Sequence, residues 1–159
     1  MDNYWDIYTE IYLKEDADLL SEELDRLLEA MYSGQVKDFE NILYENVRIS
    51  VADKIKELVG DKEVDKEELL RGVKDNINKL KLLRITISFE PTRGSLTRIA
   101  KWAKQNISKY IIIDYSYDKD IVGGVVVEFE GGYKDYSIKK NFDEFILKEK
   151  EEIISLLNQ

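Results

Sequence analysis

Asp114, Asp118 and Asp120 stand close together in the chain, and Asp135 and Ser137 follow a short way downstream. Carboxylates so grouped can ligate a hard cation or act as an acid–base pair. Asp114, however, sits at a polar position of an alternating run, and the other two belong to a turn. Nothing else converges on them, so solvated turn carboxylates are the expectation. A second candidate is Thr92-Arg93-Gly94-Ser95, which could receive an anion at a helix N-terminus, although a capped turn explains the same residues. The glycines at 123–124 and 131–132 do not form a phosphate loop, because neither G-x-G-x-x-G nor G-x-x-x-x-G-K-[ST] is present and Gly123-Gly124 precedes a strand. The chain has no histidine and no cysteine. That excludes hydrolytic triads built on histidine, thiolate catalysis, disulfides and the commonest zinc ligands. A binding or structural component is expected, not an enzyme, with no cofactor and no metal.

The elements around these residues read as a small α/β unit. Ile85, Ile87 and Phe89 alternate with Arg84, Thr86, Ser88 and Glu90, the period of a half-buried strand. Pro91 to Gly94 breaks it, and Thr92 or Ser95 can cap a helix with Leu96, Ile99, Ala100, Ala103 and Ile107 on one face. Ile111, Ile113, Tyr115 and Tyr117 mark a second strand; Val125, Val127 and Phe129 mark a third, and the two are expected to pair as a β-hairpin. Gly123-Gly124 gives access to backbone angles closed to other residues, or room for another segment to approach. Gly131-Gly132 suits a primed turn. Asp135 and Ser137 can cap a helix or stabilise a turn. The spacing then predicts a last helix with Ile138, Phe142, Phe145, Ile146, Ile153, Leu156 and Leu157 on one side.

Upstream of residue 84 the periodicity is helical. Tyr4, Trp5, Tyr8, Ile11 and Tyr12 share one stripe. Asp16 or Asp18 can open a helix with Leu19, Leu20, Leu24, Leu27, Leu28 and Met31 as its apolar stripe, ended by Ser33-Gly34. Further helices are marked by Val36, Phe39, Leu43 and Val47, by Val51, Ile55, Leu58 and Val59, and, capped by Asp65, by Leu69, Leu70, Val73, Ile77 and Leu80. The predicted class is α+β: a helical bundle domain over residues 1–80, then a small α/β domain over 84–159 in the order strand, helix, strand, strand, helix. Charge divides at the same place, with 21 acidic and 11 basic residues in 1–80 against 12 and 13 in 81–159. No basic face suggests nucleic acid, and no apolar run is long enough to span a membrane. The acidic start lacks the features of a signal or transit peptide, so a cytoplasmic protein is expected. The aromatic group Tyr4, Trp5, Tyr8 and Tyr12 either fills the bundle core or forms part of a groove for a partner helix.

One run carries a resemblance. Asp118, Ile121, Val122, Gly123 and Gly124, the strand Val125 to Val127, then Asp135, Ser137 and Ile138 fall without a gap on the pattern D-x-x-[IL]-[IV]-G-G, strand, D-x-S-[IV]. This resembles the C-terminal signature of the δ subunit of F-type ATP synthases, the oligomycin-sensitivity-conferring protein of mitochondria. Where that family continues with arginine and leucine, this chain has Asn141 and Phe142. The helical half shows no motif match and is assigned by position. The resemblance implies a non-catalytic stator subunit, cytoplasmic and peripheral to the inner face of the cell membrane. It would be monomeric outside the complex and would join the catalytic head to the stalk against the rotor's torque. It also implies partners: the N-terminal segments of the α subunits for the helical half, and the b subunits for the C-terminal domain. Tyr4, Trp5, Tyr8 and Tyr12 would serve the first, and Phe145, Ile153, Leu156 and Leu157 the second. The alternative is a free-standing adaptor or homodimeric scaffold using the same module.

Overall fold

The computed structural model of the chain describes residues 4–32, 38–60 and 65–138. Its architecture is α+β with the helices first. In chain order the elements are α1 (Trp5–Tyr8), α2 (Lys14–Tyr32), α3 (Phe39–Asn46), α4 (Ile49–Val59), α5 (Lys66–Ile77), β1 (Lys81–Ile87), α6 (Arg93–Asn106), β2 (Ile111–Tyr117), β3 (Val125–Phe129) and β4 (Gly132–Asp135). The final helix expected from Ile138 onward, the stop at Ser33-Gly34, Val36, and the side chain of Trp5 lie outside the described residues.

Local chemistry accounts for the helix starts. Asp65 accepts hydrogen bonds from the backbone N–H groups of Glu67 and Glu68, satisfying donors that the first turn of α5 leaves orphaned. Thr92 caps α6 by accepting from Ser95 N–H. Asp16 is not the cap of α2 but sits in its first turn, where its Oδ2 reaches back to the N–H of Leu13 at 3.3 Å, half of a capping box.

Two apolar clusters form the interior. The first gathers the leucines of α2 (Leu20, Leu24, Leu27), Leu43, Ile55, Leu70 and Val73, with Tyr8 and Ile7 of α1. The second lies between the sheet and α6 and holds Leu83, Ile85, Ile87, Leu96, Ala100, Ala103, Ile111 and Ile113. Each cluster borrows a residue from the other half: Ile112 of β2 packs among the helices, and Leu13 packs under α6. The exchange has a backbone cause. Ile113 N–H donates to the Tyr12 carbonyl at 2.9 Å, so the stretch before α2 runs as a short parallel bridge along the free edge of β2.

The sheet order is β2-β1-β3-β4. β1 pairs with β2 in parallel and with β3 antiparallel. The expected hairpin between β2 and β3 is therefore wrong: β1 is inserted between them. The connection 118–124 crosses the end of β1 and is clipped to it at both ends, Asp118 N–H to Ile87 O at 3.0 Å and Ser88 N–H to Gly124 O at 3.4 Å. A loop of that length is not a tight hairpin turn, and the apolar residues of β1 gain a neighbour on each side. The true hairpin joins β3 to β4, a strand the periodicity did not announce. Its primed turn centres on Glu130 and Gly131 (φ 47° and 80°), one residue earlier than expected. β1 also starts and stops earlier than predicted, leaving Phe89 beyond its end and exposed.

Polar contacts tie the helices to the sheet half. Arg93 at the start of α6 reaches Asp16 Oδ1 at 2.5 Å and Glu15 at 3.1 Å; Arg48, within the helical half, holds the start of α4 to α2 by pairing with the buried Glu23 at 2.9 Å and donating to the Asp16 carbonyl. Lys104 donates to the Tyr8 carbonyl at 2.7 Å, and its ammonium lies 5.4 Å from the Tyr12 ring. Burial pushes the Lys104 ammonium down to about 8; Lys54 adds to the push and Glu10 opposes it.

Because Asp16 serves both a backbone N–H and Arg93, Asp16→Ala is expected to cost about 2 kcal/mol. Arg93→Ala, whose guanidinium is largely exposed, should cost less than about 1 kcal/mol; urea unfolding of both variants measures the difference. For Lys104 the folded state holds its proton less tightly than the unfolded state. The cost of the buried charge is therefore present in full below about pH 8, and it falls as pH rises from there toward the ordinary lysine value of 10.5. Lys104→Met should gain stability relative to the native chain at neutral pH, and that gain should shrink through this window, as thermal unfolding at several pH values will reveal.

Candidate functional site

The signature residues form a clasp between two backbone segments. Gly124 enters β3 at φ 97°, and a Cβ there would stand 2.4 Å from the Tyr136 carbonyl oxygen and 2.8 Å from the Ser137 Cα. No side chain fits, so glycine is demanded by space as well as by backbone angle. A Cβ on Gly123 would meet the Ile138 side chain at 2.6 Å. Two hydrogen bonds lock the approach: Tyr136 N–H to Val125 O at 2.9 Å and Ile138 N–H to Gly123 O at 3.0 Å.

The polar members of the signature turn the chain on either side of this clasp. Asp118 Oδ1 accepts from Asp120 N–H at 2.8 Å, and Asp135 Oδ1 accepts from Ser137 N–H at 2.7 Å. Both are Asx turns, in which a carboxylate substitutes for a backbone acceptor. Ser137 is buried. Asp118, Asp120 and Asp135 do line one shallow depression of about 390 Å³ on the polar face of the sheet. Yet an oxygen of Asp118 and one of Asp135 are committed to the backbone, and among the described residues no group of three such side chains is arranged to hold a metal. Asp114 belongs to a separate arrangement, in which Arg84 pairs with Glu128 at 3.0 Å and stands 3.8 Å from Asp114. At the Thr92–Ser95 loop, the anion position is taken by the chain's own Asp16 and Glu15 through Arg93.

The opposite face of the sheet is apolar and only partly covered. α6 lies over β1 and β2, leaving a groove of about 710 Å³ along β3. Ile85, Ile87, Val125 and Val127 line it, with Ile99, Trp102 and Ile107 of α6, and Phe89 and Tyr136. Trp102 is 57% exposed and Phe89 61%, so among the described residues a broad apolar patch is left open. A sign of this wall is legible in the residue spacing: Trp102 stands three residues after Ile99, forming a second apolar stripe beside the one that Leu96, Ala100 and Ala103 bury. Reading α6 as a single face concealed it.

The aromatic group at the N-terminus divides. Tyr8 is wholly buried, its hydroxyl donating to the Val73 carbonyl at 2.9 Å, and burial raises its phenol well above the usual value. It presents no surface to a partner. Tyr4 packs half-buried over Gly72 of α5, and Tyr12 lies half-buried against the second cluster with Lys101 and Lys104 near its ring. Phe145, Ile153, Leu156 and Leu157 lie outside the described residues.

A family model described as ATP synthase delta (OSCP) subunit matches residues 14–146. The chain belongs to the ATP synthase delta (OSCP) subunit family. The match begins at the first residue of α2, so membership extends to the helical half, where no motif was legible, as well as to the clasp. α1 with Tyr4 and Tyr8 precedes it, and Ile153, Leu156 and Leu157 follow it. No curated protein matches the chain. In this delta-family chain the signature residues do structural work, fixing where the backbone leaves the sheet at Ile138.

Gly124→Ala should therefore destabilise the protein by about 3 kcal/mol or more, through strain at positive φ and overlap with a backbone carbonyl. Gly131→Asn, also at positive φ but facing open space, should cost less than about 1 kcal/mol. Chemical denaturation of the two variants compares them directly.

Proposed function

We propose that the chain is the δ-type stator subunit of an F-type ATP synthase, joining the catalytic head to the b-subunit stalk and resisting the rotor's torque without catalysis of its own. The family match over residues 14–146 carries this reading. Features of the fold support it. A stator component must transmit force without yielding, and here the two apolar clusters exchange Leu13 and Ile112 while Arg93 and Lys104 of α6 reach across to the helical half. Interlocked cores of this kind resist relative rotation better than two units on a linker.

The helical half would receive the N-terminal segments of the α subunits, with Tyr4, Trp5 and Tyr12 as candidate contacts; its surplus of acidic residues suits a basic segment. Tyr8 would act from beneath, through packing. The b subunits would meet the C-terminal side, with Phe145, Ile153, Leu156 and Leu157 as candidate contacts. Among the described residues no helix is long and apolar enough to cross a membrane, and attachment to the cytoplasmic side of the membrane would come through the complex. Outside the complex the subunit would be monomeric.

Affinity purification of the tagged protein from its native cells, followed by mass spectrometry, is expected to recover the α, β and b subunits. Recovery of the protein alone or only with itself would replace this reading with the adaptor or scaffold.

A further inference from the structure

We infer that the outer edge of β2 beyond Ile113 takes an added strand from another protein, an extended peptide in which basic and apolar residues alternate. The inference goes beyond the stator reading and stands whether or not that reading holds, since it rests on the backbone of β2 and the charges beside it.

The chain already uses this edge once. Ile113 N–H points away from β1 and donates to the Tyr12 carbonyl at 2.9 Å, within the parallel bridge of Leu13 to Ile113. Backbone groups along a strand alternate in direction, so the N–H and C=O groups of Tyr115 and the N–H of Tyr117 point the same way as those of Ile113. Asp118 N–H, in the opposite phase, turns inward to the Ile87 carbonyl of β1. The self-made cover stops early, because α2 opens at Lys14 and ends the extended stretch. From Asp114 to Tyr117, no described residue pairs with the outer side of β2, the first strand in the sheet order. Four residues at roughly 3.3 Å each make an unpaired edge about 13 Å long. Such a row of donors and acceptors is what an extended peptide joins.

The walls beside the edge select the peptide. A groove of about 320 Å³ runs between β2 and the start of α2, lined by Glu15, Asp18 and Asp114, with Lys14 as the cation among the described residues there. Lys14 is taken by Asp18 at 2.5 Å. Glu15 shares Arg93 with Asp16, and Asp114 stands 3.8 Å from an Arg84 that lies closer to Glu128. The groove thus carries surplus negative charge, and an incoming lysine or arginine would complete carboxylates that are only half paired. Side chains on β2 alternate too. Asp114 and Ser116 face one way, while the exposed Tyr115 and Tyr117 face the other with Ile113. An added strand therefore meets acid on one face and aromatic rings on the other. The same carboxylates oppose a second copy, because two β2 edges laid together would bring like charges face to face.

The probe is a capped peptide, Lys-Val-Lys-Val-Lys-Val, with Glu-Val-Glu-Val-Glu-Val as its control, added to the isotope-labelled full chain. The lysine peptide should slow amide exchange at Tyr115 and Tyr117 by about tenfold or more, and the glutamate peptide should leave it unchanged. Tyr115→Pro removes an outward donor and spares the bonds to β1. It should weaken binding by about tenfold, whereas Tyr115→Val, which keeps the N–H, should weaken it by less than about threefold. Asp114→Asn combined with Glu15→Gln should weaken binding by about threefold or more and flatten its salt dependence. That double variant and the exchange measurement decide the matter even where the proline variant does not fold. Binding of neither peptide, equal binding of both, or binding that survives Tyr115→Pro would overturn the inference. Slow exchange at Tyr115 and Tyr117 before any peptide is added would assign the edge to the chain's own residues. Slowing that grows with protein concentration would assign it to a second copy, and either result overturns the inference.

Discussion

The structure depends on the insertion of β1 between β2 and β3. Two of the three strand pairings in the sheet are made by this strand. One of its faces supplies Leu83, Ile85 and Ile87 to the cluster under α6, and the other turns Leu82 toward the helices. Its position forces β2 to be followed by a connection that crosses the end of β1 before β3 can begin. That crossing brings Gly123 and Gly124 against residues 136–138. A change in the place of β1 would therefore alter both the interior and the exit of the chain at Ile138.

The joint between the halves works by exchange. Leu13 lies in the sheet's cluster and Ile112 in the helices' cluster, while the Tyr12 carbonyl accepts from Ile113 N–H. At this seam the cations find backbone carbonyls or buried carboxylates, Lys104 on Tyr8 and Arg93 on Asp16, and Arg48 braces the helical side by holding α2 to the start of α4. Directional bonds of this type hold orientation as well as distance. For a protein of the ATP synthase delta family, whose proposed work is to hold two parts of a machine in register, a rigid seam and a surface for partners are the relevant equipment. No reacting group is needed for that task.

Much of this was legible in the sequence, and the losses share a cause. Asp65 predicted its helix start, and Thr92 was one of two candidates for the start of α6, because a cap is a local event, settled within three residues. The run from Asp118 to Ile138 predicted a family because its glycines and short polar residues answer backbone demands that leave little choice. The pairing of β2 with β3 was misread because alternation identifies a strand and its faces but is silent about which strand lies beside it. β4 escaped because Tyr133, Lys134 and Asp135 lie on an exposed edge with little to bury. Tyr8 and Tyr12 share one helical stripe in the sequence, yet they pack into different clusters because α1 ends between them.

The sequence by itself determined the α+β class, the caps of α5 and α6, the need for glycine at 123 and 124, and the exclusion of histidine and cysteine chemistry, because these follow from residue type and near-neighbour geometry. The tertiary structure alone decided that β1 divides the supposed hairpin, that the acidic and basic residues of the Thr92–Ser95 region satisfy one another, and that α6 leaves β3 uncovered. Those outcomes depend on which distant segments meet, and burial and backbone pairing settle that only when the whole chain is folded.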